Sequence, residues 1–231
     1  MKTGPAKFLM ALLLAGGMTL SAKVYLPGPG RNPENGETRR LQSFRDFPGQ
    51  LELMTEPARF NGVLTELRVS LIKRSLEDVL RELREYDPLL KLTLRPGTVT
   101  FSIGRGKRQE RVLLTGNSGS VTVFSMELPD PLPPCREWPD ALPLPRGAEA
   151  LETVELLNRG STYGSFRNAA PGSLTALAGS LVQQGYIAVT AESASERGRG
   201  ELFLDAKRRR ILAVSIAEDG TGTLLLNRIK K

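Results

Sequence analysis

Residues 75–83 read SLEDVLREL and residues 173–181 read SLTALAGSL. In the first, Leu76, Val79, Leu80 and Leu83 recur at i, i+3, i+4 and i+7. That is the stripe of an amphipathic helix, with Ser75 placed as its N-cap and Asp78 three residues on. The second stretch repeats the spacing 98 positions later with Leu174, Leu177, Ala178 and Leu181. Asp87-Pro88 closes the first stripe, because proline has no N–H and its ring obstructs the preceding turn. Gly185 suits the left-handed cap of the second.

The same offset holds upstream, where Asn61-Gly62 and Arg159-Gly160 each separate two strand-like runs. Asn-Gly is a hairpin signal because both central residues of a type I′ turn need positive φ. Downstream of the first stripe come LKLTL (90–94), TVTFSI (98–103), RVLLT (111–115) and SVTVFSM (120–126). Downstream of the second come YIAVTA (186–191), ELFL (201–204), RILAVSIA (210–217) and GTLLLN (222–227). The loops between them are short, which favours antiparallel neighbours. One helix stripe cannot bury itself, and a sheet with one apolar face needs a cover. The expectation is therefore an α+β fold of two similar small units. Each is an antiparallel sheet with one helix packed on one face (ββαββββ), and a Pro-rich linker joins them.

The flanks set the boundaries. Lys2 and Lys7 precede an apolar run from Phe8 to Leu20 that ends in Ser21-Ala22, the layout of a secretory signal peptide. A bilayer crossing takes roughly 20 apolar residues. The run is shorter and Gly16-Gly17 interrupts it, so residues 1–22 read as a leader cleaved near Ala22, against the alternative of a retained anchor. Residues 23–47, rich in Pro, Gly and charge, read as a flexible leader, 48–127 as the first unit and 147–231 as the second. Between them, residues 128–146 form the linker, in a stretch, 126–146, whose seven prolines favour a stiff extended connector. No transmembrane span is expected in the mature chain, which is placed in the periplasm or outside the cell.

Composition narrows the chemistry. The 231 residues contain no histidine, which removes Ser-His-Asp and Cys-His nucleophile activation and histidine metal ligation. Cys135 is the one cysteine, so no disulfide closes within the chain, although a link to another chain is open to it. Without Lys2 and Lys7 the balance is 30 basic against 25 acidic groups, mildly basic. Such a surface tolerates anionic polymers, but more often it serves solubility.

No catalytic constellation emerges. Glu77, Arg81 and Glu85 at i, i+4 and i+8 read as a solvated ion-pair ladder. GNSGS (116–120) lacks the final glycine of a nucleophile elbow, and no histidine is present to activate Ser118. GRGKR (104–108) lacks the remaining glycines and the helix of a phosphate loop. Basic residues do cluster, at Arg105, Lys107, Arg108 and Arg111 and at Lys207, Arg208, Arg209 and Arg210. Both clusters sit between the second and third strands after a helix stripe, as candidate anion-binding hairpins or as charges that guard strand edges. The 13 aromatics are not interleaved with these charges, which argues against nucleic acid.

These readings point to an exported, non-enzymatic accessory or adaptor protein with neither cofactor nor metal. It would dock to a partner protein of a bacterial envelope assembly such as a secretion or pilus system, by strand addition at an exposed sheet edge or through the Pro-rich leader. The rival expectations are a polyanion-binding module using Arg105, Lys107, Arg108, Lys207, Arg208, Arg209 and Arg210, and a hydrolase working with carboxylates alone.

Overall fold

The computed structural model describes residues 41–95, 97–116, 119–189 and 200–229. The expected leader peptide, 1–22, and residues 23–40 lie outside the described residues. The local signals of the sequence produce their elements for identifiable reasons. Asn61 and Gly62 turn at φ 47° and 81° and join β1 (Gln50–Phe60) to β2 (Val63–Ile72). Helix α1 (Leu76–Tyr86) begins where the Ser75 hydroxyl accepts the Asp78 N–H at 3.1 Å. It ends where the Asp87 N–H closes on the Leu83 carbonyl, one residue before Pro88. Helix α2 (Ser173–Gln183) starts without a side-chain cap, after Gly172 at φ 77°. It ends in Gly185 at φ 90°, with the Tyr186 N–H reaching back to the Leu181 carbonyl.

The strands depart from the expected arrangement. After α1 come β3 (Thr93–Arg95), β4 (Thr98–Arg105), β5 (Arg108–Gly116) and β6 (Val121–Pro129). Then follow β7 (Glu149–Leu156), β8 (Ser161–Arg167), α2, β9 (Ile187–Ala188), β10 (Gly200–Asp205), β11 (Arg210–Ile216) and β12 (Gly222–Arg228). They form not two α+β units with separate sheets but one 12-stranded antiparallel sheet, in the order β3-β4-β5-β6-β2-β1-β7-β8-β12-β11-β10-β9. Among the described residues strand makes up 49% and helix 14%, so strand is about twice its usual share. The expected ββαββββ pair with a helix-covered sheet each is thereby corrected.

Two causes are visible. The tip of the β1–β2 hairpin pairs onward with β7, Ala58 opposite Leu156 and Phe60 opposite Val154, so the hydrogen bonding does not stop where a boundary was expected. Strands β5 and β6 are also buried on both faces. Leu113 and Phe124 face each other and are buried, one residue out of step with buried Val112, Leu114 and Val123. Near-continuous apolar runs are what doubly covered strands require.

The chain divides into two bodies, residues 41–55 with 66–132, and residues 56–65 with 133–229. In the first, α1 brings Val79 and Leu83 onto Phe101, Val112, Leu114 and Val121. The described end of the expected flexible leader belongs to this core. A single 3-10 turn (Phe44–Asp46) stacks Phe44 on Phe47 with ring centroids 4.8 Å apart, and Phe44 meets Phe101 edge-on. In the second body Leu177 and Leu181 of α2 pack with Phe166, Phe203, Leu212 and Leu224. The Pro-rich stretch contributes Trp138 and Leu142 to that core, with the Trp138 indole N–H on the Leu142 carbonyl at 2.7 Å. Among the described residues no helix is long and apolar enough to cross a membrane.

Candidate functional site

In the first body β3 is too short to cover its neighbour. Its three residues pair only with Thr98, Val99 and Thr100 of β4. The chain that precedes it is drawn elsewhere, since Arg84 near the end of α1 donates to the carbonyls of Pro88 (3.3 Å) and Leu90 (3.0 Å). Residues 101–105 of β4 thus have β5 on one side and, among the described residues, no strand on the other. The Gly116 N–H bonds the Gly97 carbonyl at 3.1 Å, so odd-numbered backbone groups of β4 point to β5. Alternation then points the N–H and C=O of Ser102 and Gly104 to the open edge.

That edge floors a groove of about 880 Å³ lined by Leu41, Gln42, Asp87, Leu89, Leu90 and Lys91 together with Ser102, Ile103 and Gly104. Leu89 is 78% exposed, and a Cβ added at Gly104 would meet nothing within 4 Å. The groove therefore has room along its floor, apolar groups on its wall and one charge of each sign. A buried acid fixes the other wall. Glu110 of β5 stands opposite Ile103, and its Oε2 accepts the Ser43 hydroxyl (2.8 Å) and the Phe44 N–H (2.9 Å). Among the described residues its Oε1 has no hydrogen-bond partner. The segment that carries Leu41 and Gln42 is pinned by this carboxylate.

The two clusters of basic residues singled out in the sequence fall in different bodies. In the first, the β4–β5 turn passes through Gly106 at φ 63° with Lys107 exposed. Arg108 pairs with Glu127 at 3.2 Å. Arg105 lies on β4, and its side chain is outside what is described. In the second, buried Asp205 accepts the Arg208 N–H at 2.9 Å and faces its guanidinium at 3.8 Å. Lys207 is exposed, Arg209 takes up φ 52°, and Arg210 sits opposite Asp205 in the ladder. One arginine of each cluster, Arg108 in the first and Arg208 in the second, is thus paired with a carboxylate.

The acids are committed too. Glu110 and Glu127 stand opposite each other across β5 and β6, but Glu110 holds Ser43 and Phe44, while Glu127 faces Arg108 and, at 3.9 Å, Arg45. Among the described residues no three of His, Cys, Asp and Glu come together as a metal-ligand group. Cys135 is half-buried with its thiol 3.5 Å from the Glu137 carbonyl. Burial pushes that thiol's pKa up, opposed by a hydrogen bond with Thr153 and reinforced by the charge of Glu152.

The sequence reading missed Glu110 and the β4 edge. A signal for Glu110 existed, because it lies two residues before Val112 and four before Leu114, in phase with the core-facing positions of its strand. The edge left none, since which strand stops short is a tertiary matter. No protein-family model, curated protein or solved structure matches this chain.

Proposed function

We propose that this is an exported, non-enzymatic accessory protein that docks to a partner protein of a bacterial envelope assembly, such as a secretion or pilus system. The docking mode is strand addition: an extended segment of the partner lies in the groove along β4. The observation that carries this reading is the pair of outward-facing backbone groups at Ser102 and Gly104, open on the floor of a groove with apolar walls. Main-chain hydrogen bonds to the edge would supply affinity, and contacts with Leu41, Leu89 and Leu90 would select alternate side chains. The groove's charged residues, Asp87 and Lys91, balance each other, so the segment it fits is mainly apolar. Export rests on the leader read in residues 1–22.

The rival readings draw less support. A polyanion site would use free cations, whereas Arg108 and Arg208 are paired with Glu127 and Asp205. A carboxylate hydrolase would use facing acids, whereas Glu110 and Glu127 are engaged elsewhere.

The test is capture from a gentle envelope extract with tagged protein beginning at Lys23, compared with Ser102→Pro. Ser102 is exposed and its N–H faces away from β5, so proline there removes an edge donor and leaves the β4–β5 ladder intact. Capture of a specific protein by the parent chain, lost in Ser102→Pro at unchanged melting temperature, supports the reading. Recovery of no specific protein, or equal capture by the variant, overturns it. Capture abolished only by neutralising Lys107, Arg108, Lys207 and Arg208 would transfer the function to the basic hairpins.

A further inference from the structure

The groove along β4 lies beside the point where the described chain begins. Leu41 lines it, and the Glu110 carboxylate fixes the next turn through Ser43 and Phe44. The chain that precedes Leu41 is thereby delivered to the open edge at Ser102 and Gly104. Residues 23–40 hold a single run of three apolar side chains, Val24-Tyr25-Leu26, followed at once by Pro27-Gly28-Pro29-Gly30.

We propose that residues 23–27 of this chain lie antiparallel along its own β4, with Leu26 opposite Ser102 and Val24 opposite Gly104, and mask the docking edge until a partner displaces them. The inference rests on the reading of β4 as the docking edge. Reach is ample, because residues 27–40 can span up to about 46 Å to return to Leu41 on the same groove. A tether of that length also gives its own segment an effective concentration in the millimolar range.

The register follows from the prolines. With Leu26 on Ser102, the N–H and C=O of Val24 and Leu26 turn toward β4 and meet the free groups of Ser102 and Gly104. Tyr25 and Pro27 then turn their backbone groups outward, where Pro27 has no N–H to lose and guards the new edge. A shift of one residue would set Pro27 on Ser102 and leave that carbonyl without a donor. The added strand has to stop before Thr100, which β3 already holds through Thr93, and Pro27-Gly28 turns the chain away at that level. Tyr25 comes level with Ile103, whose side chain is in the core with Leu41 and Leu90, so alternation puts the tyrosine ring on that apolar face. Val24 comes level with Gly104, where an added Cβ meets nothing within 4 Å.

Cysteine pairs in the chain beginning at Lys23, in a Cys135→Ser background, test the placement. Hydrogen-bonded partners in an antiparallel ladder have Cα atoms about 5.5 Å apart, inside the range of about 4.4–6.8 Å that a disulfide spans. Leu26→Cys with Ser102→Cys is expected to close within one chain under oxidised glutathione, read by mass spectrometry as the loss of two hydrogens. Val24→Cys or Gly28→Cys with Ser102→Cys is expected to close at least tenfold more slowly. Equal rates for the three pairs, no closure, or links only between chains overturn the proposal. Leu26→Pro, which removes the N–H aimed at Ser102, is expected to raise partner recovery from envelope extract at least threefold over the parent, and unchanged recovery overturns the masking. The two readings fail separately. Closure in the stated register with no protein captured by parent or Leu26→Pro would keep the leader on β4 and sink the docking reading. Capture lost in Ser102→Pro without that closure would keep the docking reading and sink this one.

Discussion

Glu56 holds Arg159 with both carboxylate oxygens, Oε1 accepting the main-chain N–H at 2.9 Å and Oε2 the side-chain Nε at 2.8 Å. The Glu56 side chain is 4% exposed and that of Arg159 42%. The pair ties the second body's end of β1 to the turn between β7 and β8. Truncating Glu56 leaves a charged donor and a main-chain N–H to find water. Glu56→Ala is therefore expected to cost about 2–3 kcal/mol, below the fully buried case because Arg159 is partly solvated. Arg159→Ala is expected to cost less, since the carboxylate keeps its main-chain donor. Urea midpoints of the two variants check the order.

Leu83 of α1 and Leu181 of α2 are 0% and 1% exposed, each at the centre of its own body's core. Replacing either with alanine removes several methyl and methylene groups from a filled site. The expected loss is about 2–5 kcal/mol for each variant. Two-probe unfolding curves check it. If the bodies unfold in separate transitions, Leu83→Ala moves only one of them and Leu181→Ala the other.

Trp138 lies over Gly164 of β8. A Cβ built at Gly164 would fall 2.8 Å from Cζ2 of the indole and collide with its Cη2. The indole N–H is at the same time held by the Leu142 carbonyl at 2.7 Å, so the ring cannot slide freely. Gly164→Ala is expected to unseat the ring and cost about 1–3 kcal/mol by overpacking. Trp138 is the sole tryptophan, so intrinsic fluorescence reports on it alone. A red-shifted emission in the folded variant is the expected signature, and unchanged emission would contradict the contact.

The Cys135 thiol has its pKa raised above the ordinary value, first by burial and then by Glu152, with the Thr153 hydrogen bond opposing. A raised pKa means less thiolate at any pH below it. Alkylation at pH 8 is therefore expected to be slower than that of a free cysteine thiol, and the rate–pH curve displaced upward. Thr153→Val, which removes the opposing hydrogen bond, is expected to slow the reaction further. Iodoacetamide kinetics over pH 7 to 10 check both.

The parts of the fold that could be read directly share a short range. Ser75, Asp78 and the stripe Leu76, Val79, Leu80 and Leu83 are close enough in sequence for one turn of helix to relate them, and that helix forms. Asn61-Gly62 likewise makes its turn from its own two φ angles. The expected separation into two sheets failed at Ala58 and Phe60, whose backbone partners, Leu156 and Val154, lie far along the chain. No side-chain pattern marks that pairing, because ladder hydrogen bonds join main-chain groups that every residue carries. The run RVLLT hid a second clue. Leu113, out of phase with Val112 and Leu114, is buried on the opposite face, and a one-sided sheet has no use for it.

The candidate sites divide in the same way. The basic clusters were visible as charge, and Asp205 lies only three residues from Arg208, but Glu127 became identifiable as the partner of Arg108 only once β5 and β6 were paired. The open edge at Ser102 depends on where β3 stops. By itself the sequence determined the exclusion of histidine chemistry, the absence of an internal disulfide, the helix stripes and the Asn-Gly turn, because composition and local periodicity need no distant residue. The tertiary structure decided which strands are neighbours and which backbone groups are left facing solvent, because strand pairing is a long-range choice made by identical main-chain atoms and settled by which faces can be buried together.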